Sequence, residues 1–384
     1  MTINVPFFRP SIGEAEISAV VDSLRSGWLT TGPQTSAFEA DFRSVMGDDV
    51  HAIAVNSATA ALHLGLEALG VGPGDEVIVP TMTFTATAEV IRYLGAIPVF
   101  VDMDPGTLCI SVETVAAAIT PLTKVLMPVH FAGRSVDMTA MRALADTHGF
   151  AILDDAAHAL PTRHAGKLIG SMHSGSDVTA FSFYANKTMT TGEGGMLVTS
   201  NNEIAARARK MRLHGIDRDV FDRFTNIKAS WAYDVVEAGY KYNMTDLAAA
   251  IGRVQLSRIE EFNAARATIA ADYNEAFLDM PLVLPPQPAP GDTHSWHLYI
   301  VQLKSDAPVT RDDFIIKMQE AGIATSVHYR PLHQMTYWKP LVQGRSFPAA
   351  DAYFDRCVSL PMYMAMTKSE RVRVVEVVRE VLGG

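Results

Sequence analysis

Cysteine is scarce in this sequence, in which only Cys109 and Cys357 occur among 384 residues. Two cysteines so far apart form neither the disulfide framework of a small secreted domain nor the paired spacing of a zinc site. The N-terminal stretch MTINVPFFRP also lacks the basic segment and the long apolar segment of a signal peptide. We therefore expect a cytoplasmic protein in a reducing compartment.

Long apolar runs and dense basic runs are missing as well. No apolar stretch approaches the roughly 20 residues that a helix needs to cross a bilayer, so we expect no membrane partner. The formal net charge is −10, and no Lys/Arg cluster is dense enough to attract DNA or RNA, so we expect no nucleic-acid partner. An anionic small molecule is still compatible with this charge, because local N–H groups bind phosphate well.

Apolar residues, by contrast, are plentiful at 48% of the chain, which is enough for an ordered globular protein. The chain is longer than one hydrophobic core usually supports, so we expect two domains. A helical stretch from Thr245 to Ala271 joins them in this interpretation. We assign residues 1–250 to a large domain and residues 251–384 to a small C-terminal domain, with the proline-rich stretch 281–292 as a loop of the second unit.

Short apolar runs alternate with stretches of helical period from about residue 50 to 200. Most of these runs do not alternate with polar residues, which indicates strands buried on both faces. The pattern predicts an α/β domain around a mostly parallel sheet, followed by a smaller α/β domain. The predicted strands are 51–55, 76–80, 97–102, 124–130, 150–154, 178–183 and 196–199, and the clearest helices are 58–69, 138–148 and one that begins at the capping box Thr367–Glu370.

Lys187 occupies an unusual position in the segment FSFYANKTMTTGEGGML, just past a predicted buried strand and before a glycine-rich turn. Burying an ammonium group is costly, so a lysine there indicates a partly enclosed cavity. In such a cavity the amine loses its proton readily and can form a Schiff base with an aldehyde. An ordinary lysine in a loop is the alternative, and only the neighbouring motifs argue against it.

Two aspartates, Asp154 and Asp155, follow a predicted strand and precede His158. In an open parallel sheet, a carboxylate at a strand end points toward the crevice where ligands bind. A pyridoxal phosphate ring needs an anion beside its pyridine nitrogen, because the protonated ring then accepts electrons. The alternative is that either aspartate caps a following helix.

A candidate phosphate site follows the first predicted strand, where Ser57, Ala58 and Thr59 begin a helix. Free N–H groups and the helix dipole favour an anion at that place. A plain helix cap is the alternative interpretation. Phe84 follows the next predicted strand and could stack on a flat ring, although a lone aromatic residue is more often part of a core.

In chain order these signals are a phosphate site, a stacking ring, a carboxylate and a lysine, all at predicted strand ends. The sequence resembles the StrS/DegT family of pyridoxal-phosphate (PLP) aminotransferases of nucleotide sugars over essentially its whole length. The matching stretches are SGWLTTGP, NSATAALHLGL, GPGDEVIVPTMTF, VDMDP, PVHFAG, LDDAAHA, FSFYANKTMTTGEGG, LHG and GYKYNMTDLAAAIG. The resemblance implies a fold-type-I PLP transferase that alternates between PLP and its pyridoxamine form, PMP.

The resemblance also implies a role for each matching residue. Lys187 would hold the cofactor and move a proton, Asp155 would face the pyridine nitrogen, and His158 would lie by the ring hydroxyl. The remaining cofactor contacts would be Phe84 over the ring, Ser57, Ala58, Thr59 and Ser182 at the phosphate, and Asn243 at the phosphate of the neighbouring subunit. This last role implies a homodimer with shared active sites.

The implied reaction moves an amino group from L-glutamate to a keto sugar carried by a nucleotide, a UDP-4-keto sugar by resemblance. The product would be an amino sugar for lipopolysaccharide or another polysaccharide. Within the family, the stretches GWLTTGP, DAAHA, GYKYNMTD and HSWHLYI most resemble the enzyme that forms UDP-4-amino-4-deoxy-L-arabinose. Candidate contacts to sugar or pyrophosphate are Trp28, Thr30, Thr31, His328, Tyr329 and His333.

Three alternatives stay open at this point. A sugar dehydratase of the same family carries His at the cofactor-lysine position, and Lys187 argues against it. A catalytically silent sensor would keep the fold and the cofactor residues. A metal-dependent hydrolase would need a ligand set, but His130, His158, His164 and His173 show no HExxH-like spacing and no cysteine companion, so we expect no metal.

Overall fold

The computed structural model describes residues 4–47, 49–217 and 233–383. The strands are β1 (His51–Val55), β2 (Glu76–Pro80), β3 (Ile97–Val101), β4 (Thr123–Leu126), β5 (Ala151–Asp155), β6 (Arg163–His164), β7 (Lys167–Leu168), β8 (Val178–Ser182), β9 (Gly195–Thr199), β10 (Leu282–Val283), β11 (Tyr299–Leu303) and β12 (Cys357–Leu360). The helices are α1 (Glu14–Ser26), α2 (Pro33–Met46), α3 (Ala58–Ala68), α4 (Thr85–Tyr93), α5 (Val112–Ala116), α6 (Met138–His148), α7 (Asn202–Met211), α8 (Asp246–Ser257), α9 (Ile259–Ala276), α10 (Arg311–Glu320), α11 (Pro348–Phe354) and α12 (Lys368–Leu382).

The main sheet of the described residues has seven strands in the order β1-β9-β8-β5-β4-β2-β3. The neighbours from β8 to β3 are parallel, whereas β9 is antiparallel to both β1 and β8. The reason is local: residues 183–194 connect β8 to β9 without a helix, so the chain turns back on itself. The predicted mostly parallel α/β sheet is therefore confirmed, with one reversed strand next to the lysine loop.

Two of the predicted elements end differently in the structure. The predicted strand 124–130 stops at Leu126, because Pro128 has no N–H for the ladder and its carbonyl accepts the Asp155 N–H at 2.9 Å instead. The predicted helical stretch 245–271 consists of α8 and α9. They are separated at Arg258, whose φ of −110° and ψ of 8° leave the helical region.

A second, smaller sheet, β10-β11-β12, is antiparallel and lies in the C-terminal part of the chain. The C-terminal helix α12 begins at the predicted capping box, in which Thr367 and Glu370 exchange hydrogen bonds. A separate hydrophobic cluster fills this region, with members such as Tyr273, Tyr299 and Phe314. The boundary between residues 250 and 251 stays a prediction.

Both faces of the main sheet are covered by helices, and its strands are almost fully buried. The carboxyl ends of the parallel strands consequently meet at one edge, where loops and helix N-termini converge. In the described ranges we find no helix with the length and apolar character required to cross a membrane.

Candidate active site

A cavity of about 370 Å³ lies at the carboxyl edge of the main sheet. Residues from β5, β8, the lysine loop and the N-terminal turns of α3 and α4 line it, so it collects side chains from distant parts of the sequence. Its lining residues are Ser57, Ala58, Thr59, Leu62, Thr83, Phe84, Ala86, Val129, Asp155, Ala157, His158, Ser182, Tyr184, Asn186, Lys187, Glu193, Gly194, His328 and Tyr329. Every residue that the sequence predicted as a cofactor contact is present except Asn243.

Lys187 lies in the turn after β8 and is half-buried, with its backbone N–H bonded to the Tyr184 carbonyl at 3.0 Å. Burial lowers the pKa of the Lys187 ammonium to about 8, although the nearby Asp155 carboxylate opposes this shift. No described carboxylate forms an ion pair with the lysine. The amine is therefore deprotonated to a useful extent near neutral pH, as a nucleophile requires.

Asp155 is the last residue of β5 and is only 5% exposed. Its Oδ2 accepts a hydrogen bond from the Thr87 hydroxyl at 2.7 Å, and its Oδ1 accepts one from the Ala157 N–H at 3.1 Å. Burial raises the pKa of this carboxyl, whereas the two donors and Lys187 act in the opposite direction. The carboxylate is thus a buried anion with its own donors, facing the cavity that holds the lysine.

Asp154 lies on the opposite face of β5, because successive strand residues alternate. It is fully buried, and its Oδ2 lies 3.3 Å from Nε2 of His130. The His130 Nδ1 accepts the Val136 N–H at 3.1 Å, whereas Nε2 and both Asp154 oxygens lie close together without a hydrogen bond to any described residue. Turns rather than a helix follow β5, which rules out the helix-cap interpretation for both aspartates.

The N-terminus of α3 forms one wall of the cavity. Ser57 caps the helix by accepting the Ala60 N–H at 3.1 Å, and the N–H groups of Ala58 and Thr59 precede the first intrahelical hydrogen bond. A Cβ on Gly195 would lie 2.6 Å from the Ser57 carbonyl and 2.7 Å from the Ala58 nitrogen. The glycine therefore permits β9 to approach this anion-binding turn, while Ser57 both caps the helix and lines the cavity.

His158 and Tyr329 form a pair on the opposite wall, with His158 Nε2 and the Tyr329 hydroxyl 3.2 Å apart. The Nδ1 atom of His158 is buried and has no partner in the described part of the chain. Burial and then the Lys187 charge hold the pKa of His158 well below its usual range, so the ring is neutral. Phe84 is 58% exposed at the start of α4, with its ring 6.1 Å from that of Tyr329.

Several predicted substrate contacts, and the predicted phosphate contact Asn243, lie outside this cavity in the same chain. Asn243 donates to Thr31 at 2.7 Å, and Thr31 donates to the Met244 carbonyl at 2.6 Å. The Thr30 carbonyl accepts the Asp246 N–H, and Trp28 packs beside Gly32. His333 bonds to Thr81 and Asp351, both at 2.8 Å.

Asn243 lines a neighbouring hollow of about 340 Å³ instead. Glu193 lines both this hollow and the cavity, so the two adjoin. Of the six predicted substrate contacts, only His328 and Tyr329 line the cavity within one chain.

Some residues of the site were not predicted from the sequence, in particular Thr87, Tyr184, Asn186 and Glu193. Thr87 had a usable signal, because it follows Phe84 by three residues at a helix start and therefore shares its face of α4. The others lie in the loop around Lys187, where no periodicity indicates side-chain direction. Within the ranges that the structure describes, no three His, Cys, Asp or Glu side chains are grouped to hold a metal ion.

An open, mostly parallel sheet with a lysine, a carboxylate and a helix N-terminus at its carboxyl edge defines an α/β enzyme that works through a lysine amine. Comparison with known families makes this specific. The chain belongs to the DegT/DnrJ/EryC1/StrS aminotransferase family, whose model matches residues 10–379. It is therefore an aminotransferase, as the family resemblance of its motifs predicted.

Similar proteins cover the chain from end to end. It is 44% identical over 384 residues to the spore coat polysaccharide biosynthesis protein SpsC of Bacillus subtilis, covering 99% of this chain and 97% of that one. The PLP form of Spr1654 from Streptococcus pneumoniae is 36% identical with a TM-score of 0.89, covering 99% of both chains. Helicobacter pylori PseC, an aminotransferase involved in pseudoaminic acid biosynthesis, is 25% identical with a TM-score of 0.89, covering 99% of this chain and 100% of that one.

Proposed function

We propose that this aminotransferase uses PLP to move an amino group from L-glutamate to a keto sugar carried by a nucleotide. The observation that supports this most is the meeting of Lys187, Asp155 and the N-terminus of α3 in one cavity. Each of these features suits one part of PLP. The lysine amine can bind the aldehyde, the buried carboxylate can face the pyridine nitrogen, and the free helix N–H groups can bind the phosphate. The sugar substrate is supported by the polysaccharide role of SpsC and by the part of PseC in pseudoaminic acid biosynthesis.

The cavity residues fit the cofactor. Ser57, Ala58, Thr59 and Ser182 would hold its phosphate, since helix N-terminal N–H groups and hydroxyls bind anions. Asp155 would face the pyridine nitrogen and Phe84 would cover the ring. The unpartnered Nδ1 of His158 would gain a partner in the ring hydroxyl. When bound, PLP supplies an electron sink for the negative charge that develops at the donor's α-carbon.

Lys187 has two tasks in this proposal. Its lowered pKa leaves a fraction of the amine neutral near pH 7, so it can attach the cofactor covalently. Once released, the same Nζ is the only described lysine amine at the cavity, so it carries the proton to and from the donor's α-carbon. Asp155 stays anionic beside it through the Thr87 and Ala157 donors.

We further propose a homodimer in which Asn243 acts at the phosphate site of the neighbouring subunit. Support comes from its position: it lies away from the Lys187 cavity of its own chain but in a hollow that adjoins this cavity. Trp28, Thr30 and Thr31 lie in the same region as Asn243, so we place them with it at the shared site. The narrower resemblance to the enzyme that forms UDP-4-amino-4-deoxy-L-arabinose, and the lipopolysaccharide role, stay predictions.

A half-reaction experiment tests the proposal. The protein is loaded with PLP, and L-glutamate is added while the visible absorbance of the lysine-bound cofactor is followed. We expect glutamate to bleach this band, and one member of a panel of nucleotide-linked keto sugars to restore it. A sugar dehydratase would instead consume a substrate hydroxyl without net amino transfer, a silent sensor would show no bleaching, and a metal-dependent hydrolase would lose activity to a chelator.

The matched variants are Lys187→Ala and Lys167→Ala. Lys167 is an exposed lysine of β7, outside the residues that line the cavity, so its removal should leave the reaction unchanged. Lys187→Ala should abolish both the visible band and amino transfer. Appreciable transfer by the Lys187→Ala protein would show that the mechanism is wrong.

A further inference from the structure

His297, which no motif singles out as a site residue, packs against the cavity residue His158. The two ring centroids are 4.3 Å apart and the rings are tilted by 37°. His297 is 4% exposed and His158 is 6% exposed, so both rings are held in the interior. His297 does not line the cavity itself. It borders the site through His158, on which its ring packs.

The backbone around His297 is fastened to the backbone around His158. The hydroxyl of Ser295 donates to the His158 carbonyl, and the Leu298 N–H donates to the Ala132 carbonyl at 3.2 Å. Gly133 has a φ of +100°, and a Cβ there would lie 3.0 Å from the His158 carbonyl oxygen and 3.2 Å from the His297 nitrogen. The absence of a side chain at Gly133 therefore permits the two segments to approach each other closely.

A buried arginine anchors the other side of the same segment. Arg266 of α9 donates through Nη1 to the carbonyls of Trp296 and His297, both at 3.2 Å, and to the Met362 carbonyl at 3.3 Å. It is 4% exposed and has no carboxylate partner in the described ranges. The two N–H groups of Nη1 are shared among these three carbonyls, so Arg266 ties the chain at His297 to the chain at Met362.

The hydrogen bonds of His158 do not by themselves fix its ring. Its Nε2 contacts the Tyr329 hydroxyl at 3.2 Å, but its Nδ1 has no partner among the residues that the structure describes. A single hydrogen bond leaves the His158 ring free to turn about the line that joins Nε2 to the Tyr329 oxygen. The tilted packing of the His297 ring supplies the second constraint. It brings no repulsion between charges, because burial lowers the pKa of both rings and keeps them neutral.

We propose that His297 is a positioning residue, which holds the His158 ring in the orientation that contacts Tyr329 and the cofactor. The inference rests on the proposed function, because it assigns His297 a part in cofactor binding. His297 does not touch the reacting atoms. Its effect passes through the orientation of His158, so removing the ring should loosen His158 without removing any cofactor contact directly.

The test compares His297→Leu and His297→Phe with the control His294→Leu. A phenyl ring keeps a flat surface against His158, whereas leucine does not. His294 is also a buried, stacked histidine of the same segment, but its ring packs on Trp296 at 4.2 Å and not on His158. Two properties are measured: the dissociation constant of PLP with the apoprotein, and the pH midpoint of the visible band.

We expect His297→Leu to weaken PLP binding roughly five- to tenfold and to shift the pH midpoint. His297→Phe should stay within about twofold of the wild type, and His294→Leu should change neither property even where it lowers the melting temperature. If His297→Leu and His294→Leu weakened PLP binding equally, the cause would be a general loss of stability, and the proposal would be overturned. Wild-type behaviour of His297→Leu would overturn it as well.

A second readout separates this inference from the proposed function. Histidine ring NMR of the apoprotein, with the His158 signal assigned through a His158→Asn variant, reports the orientation of that ring without any cofactor. The His158 signal should shift or broaden in His297→Leu and stay near its wild-type position in His297→Phe. If the wild type binds no PLP, the proposed function fails, and this measurement still decides whether His297 holds His158.

Discussion

The Thr87 hydroxyl donates a hydrogen bond to Oδ2 of Asp155 over 2.7 Å, joining helix α4 to the end of strand β5. The Thr83 hydroxyl lies 2.8 Å from the same Thr87 oxygen and can donate to it in turn. Because α4 also carries Phe84, one helix turn supplies both the aromatic ring over the site and a donor for its buried carboxylate. The anionic form of Asp155 therefore depends on a residue that does not itself line the cavity.

Thr87→Val should reduce kcat and move the acid limb of the pH profile to higher pH. The hydroxyl stabilises the carboxylate, so its loss raises the pKa of Asp155 in the direction in which burial already raises it. One lost hydrogen bond to a charged group is worth about 1.5–3 kcal/mol, or roughly ten- to a hundredfold in rate. Steady-state kinetics as a function of pH measures both effects.

The control for this experiment is Thr85→Val on the same helix. The Thr85 hydroxyl donates to Glu89 at 2.9 Å and has no bond to Asp155. Its loss should leave the acid limb where it is. An unchanged profile in Thr87→Val, or the same shift in Thr85→Val, would contradict the role assigned to Thr87.

The rate at which the apoprotein attaches PLP should rise with pH through a midpoint near pH 8, where half of the Lys187 amine has lost its proton, and level off at higher pH. The negative charge of Asp155 favours the ammonium form, so Asp155→Asn should lower the pKa of Lys187 and move the midpoint of the rate profile to lower pH. Stopped-flow growth of the visible absorbance gives the profile. Asp137→Asn, at an exposed helix cap, is the control and should not move it. A shift to higher pH in Asp155→Asn would refute the coupling between the two residues.

Gly195→Ala should destabilise the protein and weaken PLP binding together. The new methyl group would lie 2.6 Å from the Ser57 carbonyl, so the N-terminal turn of α3 has to move. Such overpacking costs about 1–3 kcal/mol. Urea unfolding and PLP titration measure the two effects, and Gly72→Ala, where the added methyl meets nothing within 4 Å, is the control. A stable variant with normal PLP affinity would show that the turn tolerates the shift.

The sequence predicts the main sheet well because its strands are continuous apolar runs. The observed β1 and β2 coincide with the predicted ranges, and β3, β5, β8 and β9 differ by about one residue. Those single residues matter for the site. Successive side chains of a strand point to opposite faces, so only one of Asp154 and Asp155 can face the cavity. Amino-acid composition does not show which one, because the exact end of the strand has to be known first.

Contacts between distant segments were beyond prediction for a different reason. His158 and His297 are 139 positions apart and belong to segments with no shared periodicity, so the packing of the segment around His297 on the loop after β5 brings them together. The split between α8 and α9 at Arg258 could not be predicted either, since the stretch on both sides has helical composition. Lys187, in contrast, could be singled out from the sequence, because a candidate phosphate site, a possible stacking ring and a carboxylate also occur at predicted strand ends.

Mixing two inactive variants should restore activity if Asn243 serves the neighbouring subunit. In a heterodimer of Lys187→Ala and Asn243→Ala chains, one site carries both defects and the other carries neither. Random exchange makes half the dimers mixed, so about a quarter of wild-type activity should return. Lys187 and Asp155 line the cavity of a single chain, so mixing Lys187→Ala with Asp155→Asn should restore nothing and serves as the control. Activity is measured after unfolding and refolding the mixtures together, with each variant refolded alone for comparison. No recovery in the first mixture would place Asn243 in the site of its own chain, and recovery in both would mean that the dimer arrangement assigned here is wrong.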